Sequence, residues 1–168
     1  QASGATLLDA SATGTISVAP DATLGLGPSA VLVGPVLSSG RILPGTYHTN
    51  LTLGSTSRVP FKVNDIADHE KLANDGGDIL TFEDHTSLEL DFTGYTPNVG
   101  DTFTLFPNWA ARTGNASAVL ITTTGLDRQY ALDTTNLLVN GIVSLRIVAG
   151  SPIAKQADGT LVRIFNGE

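Results

Sequence analysis

The sequence predicts an all-β protein, and three observations carry that prediction. Short stretches in which apolar and polar residues alternate recur about every ten residues along most of the chain. Glycine, proline, asparagine and serine stand between them as turn material. No segment sustains the apolar period of a long helix. This spacing suits a sandwich, a barrel or a solenoid. By itself it does not separate a β-helix from a jelly-roll-like sandwich completed by a donated strand.

Each element has its own signal. Residues 5–10 (ATLLDA) place Leu7 and Leu8 in a first strand, and GTISVAP alternates Ile16 and Val18 against Thr15 and Ser17. ATLGLG puts Leu24 and Leu26 on one face. AVLVGPVL, from Ala30, is a continuous apolar run and predicts a strand buried on both faces. NLTLGS, RVPFKV and DILTF follow, carrying Leu51, Leu53, Val59, Phe61, Val63, Leu80 and Phe82. SLELDF is the cleanest amphipathic strand, with Leu88, Leu90 and Phe92 set against Glu89 and Asp91. TFTLF, SAVLITT, NLLVNGIVSLRIV and TLVRIF complete the series. Most prolines fall at strand ends, where a missing N–H costs least. Pro60 lies inside RVPFKV and predicts an edge or bulged strand there. The best helical candidate, Asp65 to Asp75, has no sustained apolar stripe and ends at Gly76-Gly77, which allows one or two turns.

Length and composition bound the function. A chain of 168 residues fits one domain, residues 1–168, with residues 1–19 set apart as a candidate N-terminal arm or donor strand. The net charge is −7 and the nine Lys and Arg are scattered, which argues against nucleic acid and against a hold on anionic lipid. No apolar run approaches the length of a membrane helix. Cysteine and methionine are both absent, so no disulfide, thiolate metal site or thiol nucleophile can form. Their absence suits an oxidising exterior. The opening Gln1-Ala2-Ser3-Gly4 reads as a mature N-terminus left by signal-peptide cleavage. The expected location is therefore secreted, extracellular or at the cell surface.

Three segments resemble a known family. SSGRILPGTYHTNLTLGSTSRVPFKV (Ser38 to Val63) is similar to a segment of large bacterial surface proteins that carry autotransporter-associated β-strand repeats, often with PEP-CTERM-type sorting tails. HEKLANDGGDILTFEDHTSLELDFTGYTPNVGDTFTLF looks like their next segment, closing in a turn formed here by Thr96, Pro97, Val99, Gly100, Asp101, Phe103 and Leu105. GLDRQYALDTTNLLVNGIVSLRIV resembles their closing segment. The Gly-rich passenger repeats, a C-terminal membrane barrel and a sorting tail are not seen, so the likeness is to a terminal module. The resemblance implies a β-helix-like solenoid or its β-rich cap, secreted and without enzymatic activity.

Little in the chain points to a reaction. Asp65, Asp68, Asp75 and Asp78 form the densest acidic cluster and are Ca²⁺ candidates, but the EF-hand spacing is missing and a solvated loop carries more weight. Glu89 and Asp91 share one strand face, which decorates a wet surface more readily than it builds a hydrolase cleft. His48, His69 and His85 show no zinc-site spacing. Trp109 is a candidate ligand contact for sugar stacking, or else a loop side chain folded over the core. Asn50 and Asn115 head N-glycosylation patterns.

The expected function is a secreted structural subunit without a catalytic or cofactor role. Its expected partner is itself, in an extracellular filament or surface layer. Two routes fit: head-to-tail stacking of solenoid ends, and donation of an N-terminal strand carrying Leu7, Ile16 and Val18. An adhesin or carbohydrate-binding module with a glycan partner is the competing class.

Overall fold

The structure, a computed structural model, describes residues 14–27, 32 and 34–148, and the backbone of two further strands at 153–155 and 161–163. The chain winds as a β-helix-like solenoid of parallel strands. The first rung holds β1 (Ile16–Val18) and β2 (Thr23–Leu24). The second holds β3 (Val36–Ser38), β4 (Arg41–Ile42) and β5 (Gly45–Tyr47). The third holds β6 (Leu51–Leu53), β7 (Arg58–Lys62) and β8 (Leu72–Asn74). The fourth holds β9 (Ile79–Phe82), β10 (Ser87–Asp91) and β11 (Thr102–Thr104). The fifth holds β12 (Ala111–Gly114), a 3-10 turn at Ala116–Ala118 and β13 (Leu120–Thr124). Then come β14 (Tyr130–Asp133), the single-turn helix α1 (Leu137–Asn140) and β15 (Ile142–Ile147). Finally β16 (Ile153–Lys155) and β17 (Leu161–Arg163) pair as an antiparallel hairpin.

Successive rungs stack strand on strand. One sheet, A, runs β1-β3-β6-β9-β12, and a second, B, runs β2-β4-β7-β10-β13. A third side pairs β5 with β8, and the Leu72 N–H continues it to the Leu105 carbonyl at 2.8 Å. All pairs in these sheets are parallel, which sets aside the jelly-roll alternative, an antiparallel architecture. Exact register makes columns of like residues. Val59, Leu88 and Ile121 form one inward column of sheet B, and Phe61, Leu90 and Thr123 the other. Period-two alternation turns Leu88 and Leu90 inward and Glu89 and Asp91 outward, as the sequence predicts.

The core is a single cluster with aromatic rings at its centre. Phe106 lies between the two sheets, edge-on to Phe61 at 5.4 Å and to Phe82 at 5.1 Å. The corners between sheets A and B hold buried hydroxyls rather than apolar groups. Ser57 Oγ donates to the Ser38 carbonyl at 2.7 Å, and Thr86 Oγ1 to the Leu53 carbonyl at 2.9 Å. Each turn therefore satisfies carbonyls of the rung before it. Gly54 is required at one corner, because a Cβ there would stand 2.6 Å from the Ser38 carbonyl oxygen. This is what the Gly and Ser punctuation of residues 38–63 does.

Three expectations are corrected, and the upper bound on helix at residues 65–75 is met. Val36 is buried but its neighbour Leu37 is 41% exposed, so the apolar run around them has one wet face. RVPFKV is neither edge nor bulged: β7 lies between β4 and β10. Arg58 N donates to the Gly40 carbonyl, so parallel geometry turns the Pro60 nitrogen toward β4 as well. β4 ends at Ile42 and pairs β7 only at Arg41↔Arg58, so the missing N–H disturbs nothing on the β10 side. Residues 65–75 form no helix; an Asx turn at Asp65 is followed by a Val63↔His69 bridge and then β8. LLVN (Leu137–Asn140) is one turn of helix rather than strand, ended by Gly141 in the left-handed conformation at φ 76°.

Candidate self-association surface

The two ends of the solenoid are built differently. At the C-terminal end of sheet A the apolar columns stop. The column Ile16, Val36, Leu51 and Leu80 terminates in Arg112, and the column Val18, Ser38, Leu53 and Phe82 terminates in Gly114. Arg112 Nε donates to the Phe106 carbonyl at 2.7 Å, tying the last rung to the one before. α1 packs against β12, and Gly141 N–H closes its last turn on the Leu137 carbonyl at 3.1 Å. From the same side an antiparallel sheet, β11-β15-β14, closes the end of the core. Its start is pinned by Asp101, which accepts from Tyr95 Oη and from Asn98 N, both at 2.7 Å. Burial and that hydrogen bond push the Tyr95 phenol up to about 12.

Sheet B ends without such a closure. β13 is its last strand, and among the described residues nothing pairs with its outer edge. Leu120 N donates to the Thr86 carbonyl, and the Thr124 carbonyl accepts from Phe92 N, both on the β10 side. Parallel geometry therefore turns the N–H and C=O groups of Ile121 and Thr123 outward. Val59, Leu88, Phe61 and Leu90 are 0–1% exposed, yet Ile121 in the same columns is only half-buried and Thr123 is exposed. Beside them is a groove of about 280 Å³ lined by Ile121, Thr123, Leu126, Tyr130, Ala131 and Leu132. At the opposite end, β1 and β2 open their sheets, with no partner on their outer edges among the described residues.

The outer face of sheet B carries a ladder of ion pairs over a shallow groove of about 310 Å³. Arg41 meets Glu89 at 3.2 Å, Arg58 meets it at 3.8 Å, and Lys62 Nζ donates to Asp91 at 2.8 Å. Hydrogen bonds from Lys62 and Thr93 hold the Asp91 carboxyl well below the usual carboxylate range. Neither carboxylate is free of a cation, so the pair is arranged as a surface ladder rather than as an acid and a base.

The residues singled out from sequence are scattered. Trp109 follows the second of its two readings, a side chain folded over the core: it is 4% exposed and donates its indole N–H to the Leu72 carbonyl at 2.9 Å, so it presents no face to a sugar. Asp65, Asp68, Asp75 and Asp78 do not converge. Asp65 caps the N–H groups of Ala67 and Asp68, Asp68 accepts from Asn64, Asp75 meets His48 Nδ1 at 2.9 Å and Asp78 accepts from Asn74. Among the described residues no group of three acidic or histidine side chains is arranged to hold a metal ion. Ile16 and Val18 sit in β1, paired in cis with Val36 and Ser38, and Val18 is buried. Leu7 lies outside the described residues. The free edge of β13 was not singled out from sequence. Its one legible sign is TTT at residues 122–124, where the inward apolar alternation of SLELDF lapses.

No protein-family model matches the chain, and no curated protein matches its sequence.

Proposed function

We propose that this protein is a secreted structural subunit that associates with copies of itself into an extracellular filament or surface layer. The observation that carries this reading is the edge of β13, unpaired among the described residues, with its half-covered inner column, where sheet A at the same end is closed by Arg112, Gly114 and α1. An unprotected strand edge is a template for pairing with another chain. Proteins that remain single blunt such edges with charge, proline or a covering element. β13 has neither charge nor proline: it reads LITTT, Leu120 is 50% exposed, and among the described residues nothing pairs with its outer edge. Of the two assembly routes, strand donation is the better supported. Full end-to-end stacking would have to displace α1 from β12, whereas a single added strand needs only the edge of β13.

Burial of Trp109 removes the feature on which a carbohydrate-binding module would rest, and the paired carboxylates of sheet B favour surface over catalysis. The likeness to terminal modules of bacterial surface proteins is in keeping with a solenoid whose sheet A is capped at one end. The test is electron microscopy of the full chain at neutral pH. Filaments or sheets of constant width are expected, and a uniformly monomeric protein would remove the proposal.

A further inference from the structure

We infer that the outer edge of β13, with the groove beside it, is the acceptor site for residues 5–10 of a second copy of this chain. The inference rests on the self-assembly reading and names its interface. The acceptor is defined by chemistry on both sides of the strand. Its edge offers two N–H and two C=O groups, from Ile121 and Thr123. Its inner side presents half-buried Ile121 and exposed Thr123, flanked by Leu126, Tyr130 and Leu132, and calls for uncharged residues over both. Its outer side exposes Leu120.

The sequence Ala5-Thr6-Leu7-Leu8-Asp9-Ala10 meets these demands in one parallel register. Leu8 placed beside Ile121 brings Ala10 beside Thr123, both facing in. Leu7 then covers Leu120, and Asp9 falls beside Thr122 in solvent. A slip of one residue would turn Asp9 inward, so the register is specified. Geometry favours a neighbour over the same chain. β1, which follows the segment, belongs to the rung at the far end of the stack from β13, four interstrand spacings or about 19 Å away. Where the first rung of one copy lies near the β13 edge of another, without the full stacking that α1 blocks, the segment leading into β1 meets that edge. From Ala10 to Ile16 the chain reaches about 20 Å at full extension, so a return to its own β13 would need a straight run over the whole stack, which a neighbour's edge does not require.

The first test is Thr123→Pro. It removes one outward N–H and no bond to β10, a change that edge strands tolerate. The fold, read by circular dichroism, is expected to be kept, and the concentration needed for assembly to rise by about ten-fold or more, the worth of one lost hydrogen bond. Filaments forming as in the parent would overturn the acceptor assignment while leaving self-assembly in place; a parent chain that never assembles would overturn both. The second test does not depend on that variant folding. The chain has no cysteine, so Asp9→Cys chains mixed with Thr122→Cys chains can be joined only at those positions by a short thiol cross-linker. Mixed dimers are expected. A cross-link within single molecules of the double variant, or one between Thr122→Cys and Phe165→Cys within one chain, would place the same chain in the groove and overturn the inference. So would the absence of any cross-link.

Discussion

Ile121 lies in register beside Leu88, yet Leu88 has no exposed surface and Ile121 is left half-buried. The difference lies in the next strand: Leu88 is flanked by Val59 and Ile121, whereas among the described residues Ile121 has a strand neighbour on one side only. Leu88→Ala is therefore expected to cost about 2–5 kcal/mol in the unfolding free energy, the range for a sealed core leucine. Ile121→Ala should cost the isolated monomer clearly less and should weaken assembly more. Denaturant unfolding of the two variants, beside sedimentation of each, measures both effects. Equal destabilisation would mean that the column is already covered in the monomer.

Trp109 is a packing residue. Trp109→Ala is expected to destabilise the fold by about 3–5 kcal/mol. Trp109→Phe should retain most of the packing and lose the bond to the Leu72 carbonyl, for about 1 kcal/mol. A stable Trp109→Ala protein that lost affinity for a glycan would restore the binding-module reading.

The closure of sheet A depends on Gly141. Its φ is 76°, and a Cβ there would stand 2.3 Å from the Phe106 carbonyl oxygen that Arg112 engages. Gly141→Ala should therefore cost more than the roughly 1–3 kcal/mol of a strained backbone alone. Thermal unfolding measures it, and a change within error would mean that α1 is not needed to close the end.

Tyr95 sets an alkaline limit. Its phenol ionises near 12 in the folded chain against 10.0 for the free group, because burial and the Asp101 carboxylate disfavour the charged form. The folded value is the higher one, so the contribution to stability is complete below pH 10 and is lost as the pH rises toward 12. Ultraviolet titration should show a tyrosine with this late midpoint, and Asp101→Asn should move it down. A midpoint unchanged in that variant would dissociate Tyr95 from Asp101.

How far the sequence discloses the molecule differs from element to element. SLELDF and DILTF are legible because one face of each strand is dry and the other wet, so period two is written into them. LAND at residues 72–75 is not, because its strand is a short link on the third side and Asn74 is buried for its hydrogen bonds to the Tyr47 carbonyl and to the turn at Gly76 and Gly77. ARTG at residues 111–114 hides a strand because its inward positions end the columns rather than extend them. Trp109 could be read as loop or core, and only its neighbours decide between them. The acceptor edge is the hardest to see, since an unpaired strand differs from a paired one in what lies beside it, which no local pattern records.

Sedimentation velocity of the full chain and of the chain lacking residues 1–13, each alone and then with a synthetic peptide of residues 1–13, tests self-association most directly. The full chain should sediment as large assemblies. The shortened chain should sediment as a folded monomer that binds the peptide one to one. A full chain that stays monomeric at every concentration, or a shortened chain that assembles as the parent does, would contradict this account.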